Sequence, residues 1–314
     1  MLQDTSSHTK RFPKRGQWSG AESFSTGSGT LALARCVPLI DRRITEFNRR
    51  AWNTIAEGYQ ADTCISTDDV HYGPLGLGER ELGLLGDVVG KRIIEIGCGG
   101  GQNSIALAKQ GAKVVGIDPS TGQLDYARRL SRKEGLDIPF VEASAEDLSR
   151  FQNASFDLAV SSYSLGYADD LGRAFREAWR ILVPGGHLVF CLTHPWSAAV
   201  GWFLMGEKAE VGDYARWPVE EEWEWVCSNG ARARMRERLW TVAQIMNMLI
   251  DAGFGVERVV EQAFEDIEAP EAARRLPYVH RLDTSSKEYL VGRKLPGTLL
   301  VKARKRLATN TERL

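Results

Sequence analysis

Three glycines, Gly97, Gly99 and Gly101, follow directly on the run Ile93-Ile94-Glu95-Ile96, and Gln102-Asn103-Ser104-Ile105-Ala106-Leu107-Ala108 follows on them. The apolar run reads as a buried parallel strand and the later stretch as the start of a helix. Glycines at this spacing allow a tight turn and let a ligand approach bare backbone. A ligand held at the carboxyl end of a strand, beside a helix N-terminus, follows the binding logic of an open α/β sheet. Lys113-Val114-Val115-Gly116-Ile117-Asp118 reads as a second strand ending in an acid, where a carboxylate can accept both hydroxyls of a ribose. These residues suit the binding of a nucleoside-bearing cofactor. A nicotinamide or flavin site opens in the same way, and Asp118 serves either reading. A GxGxxG loop, however, would end in glycine where this chain has Gln102.

The elements that position these residues lie in a chain of 314 residues, suited to one large α/β domain with insertions or to a domain plus a cap. A hydrophobic content of 43% is enough for a proper core. The net charge of −1 carries no electrostatic footprint for nucleic acid or an acidic membrane. The five cysteines, Cys36, Cys64, Cys98, Cys191 and Cys227, are scattered, and no CxxC pair suggests a disulfide framework or a zinc site. Cys98, inside the glycine loop, reads as a small packing residue. No carboxylate and histidine cluster proposes a metal. No apolar run reaches membrane length and no signal peptide opens the chain, so a reducing cytoplasm is the expected location.

Residues 1–38, rich in Ser, Thr, Gly and Lys/Arg, read as a disordered or loosely attached arm. Such an arm could pack on a neighbouring subunit and give a homo-oligomer. Residues 39–90 read as a helical and loop segment, in which Asp41 can cap a helix through Ile44, Phe47, Ala51, Trp52 and Ile55. The loop His71-Tyr72-Gly73-Pro74 precedes the core, which spans 91–195. Helix 102–110 follows the glycine loop, and helix 120–134 has Ser120 as its N-cap. Ile138–Glu142 is a short third strand, Phe156–Val160 a fourth, and 169–182 an amphipathic helix. Pro184-Gly185-Gly186 turns the chain into a fifth strand, and His194-Pro195-Trp196 lies just beyond it.

Residues 196–240 form an insertion holding Trp196, Trp202, Trp217, Trp223, Trp225 and Trp240, six of the nine tryptophans. Glu220, Glu221, Glu222 and Glu224 precede Arg232, Arg234, Arg236 and Arg238, and alternation in 222–226 and 232–238 suggests a hairpin around Ser228-Asn229-Gly230. Such a hairpin would cap a pocket. Residues 241–305 complete the core with helix 241–252 and strands at 256–261 and 297–303, around a polar insertion at 265–296. Residues 306–314 read as a solvated tail.

Glu95 within the first strand, Phe156-Asp157-Leu158-Ala159-Val160, and Leu182-Val183-Pro184-Gly185-Gly186-His187-Leu188-Val189-Phe190, in this order, resemble the class I S-adenosylmethionine (SAM) dependent methyltransferases. The resemblance covers about 47–193, with a looser tail to about 305. It implies a Rossmann-like sheet of order 3-2-1-4-5-7-6 with strand seven antiparallel, SAM as cofactor and S-adenosylhomocysteine as product. It assigns cofactor contacts to Tyr59, Glu95, Gly97, Cys98, Gly99, Gly101, Asn103, Asp118, Pro119, Gln123, Ser144, Ala145, Glu146 and Ser161. Relatives often carry Asp-Ala-Glu-Asp where this chain has Ser144-Ala145-Glu146-Asp147. The Asn/Asp-Pro-Pro-Tyr motif usual in amino-methylating enzymes of nucleic acid is absent after strand four, where Ser161-Ser162-Tyr163-Ser164 stands.

The expected activity is therefore methyl transfer to a small acceptor, with no nucleic acid and no membrane insertion. His-Tyr-Gly-Pro and His-Pro-Trp look like methyltransferases of actinomycete secondary metabolism, which implies a largely apolar natural-product acceptor. The tryptophan-rich insertion would suit carbon methylation of a prenyl or terpenoid group, with O- or N-methylation of an aromatic molecule as the alternative. For an acceptor that loses a proton, His194 is the first candidate base and His71 the second. Tyr72, Tyr163, Trp196 and Trp202 are the expected acceptor contacts. A non-catalytic SAM-binding regulator is the alternative of another class, and its sign would be tight cofactor binding without a methylated product.

Overall fold

In a computed structural model, which describes residues 44–205, 212–265 and 284–307, the apolar run forms a strand, β1 (Arg92–Ile96), buried at every position after the first. Continuous burial of this kind is what a parallel strand covered on both faces requires. Its side chains alternate, with Ile94 and Ile96 entering one core and Ile93 the other.

Around β1 the chain lays down α3 (Gln102–Lys109), β2 (Lys113–Asp118), α4 (Thr121–Lys133), β3 (Phe140–Glu142), β4 (Phe156–Ser162), α5 (Leu171–Ile181) and β5 (Leu182–Thr193). They follow α1 (Ile44–Thr63) and the short α2 (Glu79–Leu82). The cap predicted at Ser120 forms, its Oγ accepting from Gln123 N, and Asp170, which the sequence reading did not single out, caps α5 by accepting from Arg173 N. After α6 (Pro195–Met205) come β6 (Val219–Val226), β7 (Arg232–Leu239), α7 (Val242–Asp251), β8 (Phe254–Gln262), α8 (Lys287–Gly292) and β9 (Thr298–Lys305). The seven-stranded sheet has the order β3-β2-β1-β4-β5-β9-β8, and β9 runs antiparallel to both neighbours. This is the expected 3-2-1-4-5-7-6 arrangement.

One detail differs from the sequence expectation. Helix α5 runs straight into β5, and Pro184-Gly185-Gly186 bulges within that strand, so that Phe156 pairs with Leu182 but Leu158 with His187. Asp41 lies outside the described residues, as do the arm 1–38, most of the insertion 265–296 and most of the tail; the first helical N–H of α1, Ile44 N, donates to Asp169 Oδ1 at 2.7 Å.

β6 and β7 form a separate two-stranded sheet, longer than the alternation suggested. The glutamate and arginine runs are its outer face: Arg238 pairs with Glu220 at 2.7 Å and Arg236 with Glu222 at 2.9 Å. Its other face sets Val219, Glu221, Trp223 and Trp225 opposite Leu239, Glu237, Met235 and Ala233.

Helix α1 joins this hairpin to the core. The buried amide of Asn48 completes the hairpin's backbone pairing, donating to Arg236 O (2.6 Å) and accepting from Arg236 N (2.9 Å). On the other side, Asn53 Oδ1 accepts from Gly122 N and Ser120 Oγ at the start of α4. Asn48→Ala strands a backbone donor and acceptor in a buried place. It is expected to cost about 2–4 kcal/mol, read as a lower urea midpoint at unchanged slope; a loss below about 0.5 kcal/mol would mean water replaces the amide.

Candidate active site

The glycines between β1 and α3 do different jobs. All three have positive φ, at +72°, +51° and +81° for Gly97, Gly99 and Gly101. A Cβ on Gly97 would lie 2.2 Å from Ser164 Oγ, and one on Gly101 would lie 2.9 Å from Ala127 Cβ and Phe140 Cζ. Those two are required by the protein's own packing. A Cβ on Gly99 would meet only Gln123 Oε1, at 3.8 Å, so this glycine offers bare backbone on an open side.

Asp118 ends β2 beside that open side. Its Oδ2 accepts from Gly99 N (2.9 Å) and its Oδ1 from Ser120 N (2.8 Å). Burial pushes its pKa up to about 6, against the pull of those two N–H groups. Each oxygen keeps further acceptor capacity for ribose hydroxyls. The open backbone at Gly99 and the carboxylate next to it fit the nucleoside end of SAM. Pro119 follows directly, half-buried, and Gln123 is buried on α4.

Other expected cofactor contacts spend their polar atoms inside the protein. Glu95 is buried and accepts from Ser104 Oγ, tying α3 to β1; burial pushes its pKa up to about 8. Asn103 is buried and holds the backbone of His71 through both amide atoms, Oδ1 accepting from His71 N (2.9 Å) and Nδ2 donating to His71 O (3.2 Å). Ser161 Oγ shares a hydrogen bond with Ser164 Oγ (2.6 Å), which donates to Ile96 O, so it braces the glycine loop. Glu146 accepts from Thr45 Oγ1, Ser144 Oγ and Asp170 N, and so joins the starts of α1 and α5 instead of presenting a free carboxylate. Ala145 and Ser144 are half-buried beside it. The Cys98 thiol is buried, and burial raises its pKa well above the usual thiol value, consistent with packing.

Helix α1 lies on this loop. Gln60 Nε2 donates to Gln123 Oε1 (2.8 Å), and Gln60 Oε1 accepts from Gln102 Nε2. Tyr59 turns to the hairpin, with ring centroids 4.9 Å from Trp52 and 5.1 Å from Trp225. Tyr167, in the 3-10 turn Leu165–Tyr167 after β4, lies 6.1 Å from Trp52 and 6.2 Å from Trp223. An aromatic cluster thus stands at the carboxyl edge of β4, between α1 and the hairpin.

Neither histidine has the surroundings expected of a base. His194 is fully buried with both ring nitrogens engaged: Nδ1 accepts from Trp196 N (3.1 Å), and Nε2 bonds to Glu261 Oε1 (2.8 Å). It acts as an N-terminal cap for α6, and desolvation lowers its pKa. Burial pushes the pKa of His71 down to about 4, leaving a neutral, weakly basic ring whose buried Nδ1 has no hydrogen-bond partner.

The expected acceptor contacts also scatter. Tyr72 is fully buried and its hydroxyl donates to Glu79 Oε2 (2.6 Å), which places it in the core. Tyr163, at the left-handed φ of +52°, donates to Gly297 O (3.0 Å) and shares a hydrogen bond with Thr298 Oγ1 (2.6 Å), pinning β9 to the end of β4. Trp196 is 54% exposed and stacks on Tyr214 with ring centroids 6.0 Å apart. Trp202 lies on α6, and its side chain is outside the described residues. Trp217 and Trp240 are buried in separate clusters. Among the described side chains of the insertion, Trp223 and Trp225 join the aromatic cluster.

The residue that sequence reading missed is Glu237. It lies on the inner face of β7, where Thr193 Oγ1, at the last position of β5, donates to its Oε1 (2.9 Å). Burial and the facing Glu221 push its pKa up to about 7, while the Thr193 hydroxyl pulls it down. A signal existed: in Met235-Arg236-Glu237-Arg238-Leu239, Glu237 falls in phase with the apolar residues, away from the arginine ladder.

Comparison with known proteins agrees with this geometry. A family described as a methyltransferase domain matches residues 94–190. An S-adenosylmethionine-dependent methyltransferase from Mesorhizobium loti is 30% identical, with 71% of this chain and 94% of that one covered, at a TM-score of 0.51. A ubiquinone biosynthesis O-methyltransferase from Ralstonia nicotianae is 35% identical over 107 residues, 34% of this chain and 45% of the relative. A demethylmenaquinone methyltransferase from Clavibacter sepedonicus is 41% identical over 105 residues, 33% of this chain and 42% of the relative. The chain thus spans less than half the length of these curated relatives.

The division of labour in the glycine loop is testable. Gly101→Ala should cost about 2–4 kcal/mol from left-handed strain and overlap with Phe140. Gly99→Ala should cost about 1–2 kcal/mol yet lower SAM affinity more than its stability loss accounts for. Thermal unfolding and calorimetry on both variants check this; equal stability losses would show that the two glycines do the same job.

Proposed function

Because the chain belongs to the class I SAM-dependent methyltransferases, we propose that it transfers the SAM methyl group to a small aromatic acceptor. The observation that carries this reading is the aromatic cluster of Trp52, Tyr59, Tyr167, Trp223 and Trp225 at the carboxyl edge of the sheet. Flat rings in offset or edge-to-face arrangement prefer another aromatic face to a saturated surface. The curated relatives named for ubiquinone and demethylmenaquinone support a small-molecule acceptor with a ring. A net charge of −1 adds no support for a nucleic acid. No helix among the described residues is long and apolar enough to cross a membrane, and no metal-binding cluster is found among them.

SAM supplies a methyl group already activated on a sulfonium. The protein's part is to bind, orient and exclude water. Gly99 and Asp118 would hold the ribose. Helix α1, fixed by Gln60 and Asn53, would close over the nucleoside end, and the hairpin would close the acceptor side. Alignment of an acceptor with a transferring group can supply roughly 7–11 kcal/mol of acceleration.

The test is incubation with methyl-labelled SAM and a cell extract, followed by identification of labelled products. Label in a small aromatic compound supports the reading; label only in macromolecules would overturn it. SAM affinity itself should depend on pH. The ionised carboxylate of Asp118 accepts the ribose hydroxyls, and its pKa of about 6 means that this form is lost as pH falls through 6. Calorimetry should find SAM binding about tenfold weaker at pH 5 than at pH 7.5. Asp118→Asn should bind weakly at both values and abolish the dependence.

A further inference from the structure

The hairpin's inner face carries a feature that packing does not explain. Glu221 and Glu237 lie directly opposite each other across β6 and β7, in line with Trp223, Met235, Val219 and Leu239. Like charges directly opposite are destabilising, and desolvating a carboxylate costs more still. An apolar residue at 237 would continue the pattern without either cost.

We propose that Glu237 is the proton acceptor of the methyl-transfer site, and that the acceptor molecule therefore presents an O–H or N–H, as a phenol or an aromatic amine does. This rests on the methyltransferase reading and names its substrate class. Three observations support it. The carboxylate reaches the end of β5, where Thr193 Oγ1 orients it. It packs on the bare Cα of Gly166, whose Cβ, if present, would lie 2.6 Å from Glu237 Oε1; any larger residue in the turn after β4 would push the carboxylate away. It also lines a small cavity together with Gly166, Thr193, Arg238 and Trp240.

The charges around it favour a base in this range. The group facing it from β6 is Glu221, from β5 the Thr193 hydroxyl, and from the turn after β4 the Gly166 backbone. Of its neighbours on β7, Arg236 pairs with Glu222, while Arg238 is buried, lines the same cavity as Glu237, pairs with Glu220 and donates to Asp169 O. The ring of His194, next to Thr193, is bonded to Glu261. An ordinary carboxylate is a weak base toward a phenol, whose pKa is about 10. One raised to about 7 is matched to work near neutral pH.

The step balances. A lone pair of the acceptor oxygen or nitrogen forms the bond to the methyl carbon. The C–S bond breaks, its electron pair stays on sulfur, and S-adenosylhomocysteine leaves neutral at that atom. The acceptor's proton passes to the Glu237 carboxylate and from there to water. An alkene carbon acceptor has no such proton to give before attack.

The experiment has one readout without turnover and one with it. In the apo protein labelled with 13C at glutamate carboxyls, NMR titration should find a carboxyl with a midpoint near 7 that is missing from Glu237→Gln. With methyl-labelled SAM and a probe set of catechol, 4-hydroxybenzoate, aniline and tryptamine, the wild-type rate should rise with pH to a plateau above about 7. Glu237→Gln should lose about 100-fold or more in kcat and lose that limb, with SAM affinity by calorimetry unchanged. Thr193→Val should keep the limb and move its midpoint upward, because a stabilising donor is gone. Turnover in Glu237→Gln within threefold of wild type, or the absence of a glutamate signal titrating above pH 6 that disappears in Glu237→Gln, overturns the proposal. So does a wild-type protein that binds SAM yet methylates none of the probes. No SAM binding at all overturns the methyltransferase reading and this proposal with it.

Discussion

The candidate site depends on the amide side chains that hold α1 in place. Asn48 extends the backbone pairing of β7, Asn53 accepts from the first turn of α4, and Gln60 bridges Gln102 and Gln123 over the glycine loop. Buried polar groups on a helix are costly unless each is matched. Here the matching fixes the helix against the core and the hairpin together. That fixing turns Trp52 and Tyr59 toward Trp225 and Tyr167. An apolar helix face could slide along its neighbours, whereas one held by paired donors and acceptors has a single register.

The electrostatics of the sheet's carboxyl edge follow a common pattern. Glu95, Asp118 and Glu237 are all desolvated, and their pKa values are pushed up to about 8, 6 and 7. Each is held by a hydroxyl or a backbone N–H. Desolvation of this kind brings carboxylates close to neutral pH.

The sheet was legible because its signals are local. Continuous apolar runs mark β1, β4 and β5, Ser120 and Thr241 mark helix starts, and the glycine spacing marks the loop. What escaped were roles set by long-range partners. His194 has the position of a base by sequence, but Glu261 and the start of α6 take its ring. Tyr72 looked like a site residue until Glu79, seven positions on, buried its hydroxyl. Ser161 and Glu146 kept their positions but not the free polar atoms a ligand would need. Glu237 was hidden by the opposite error: among four arginines and four glutamates it looked like one more rung of an exposed ladder, and only the strand's phase sets it apart.

The dispersal of the tryptophans bears on which acceptor chemistry the fold suits. A pocket that stabilises a carbocation needs aromatic faces on several sides and no base near enough to remove a proton early. Here Trp196 is exposed, Trp217 and Trp240 are buried elsewhere, and the rings that do converge touch one another at 4.9–6.2 Å. An acceptor entering among them must replace ring contacts worth about 0.5–1.5 kcal/mol each. An aromatic acceptor restores those contacts with its own face, whereas a prenyl chain restores only the buried area. The carboxylate of Glu237 beside them would drain a cation that should persist, but would assist a phenol or amine that must lose its proton. On the proposed reading, packing and electrostatics favour the same atom type, a heteroatom on a ring.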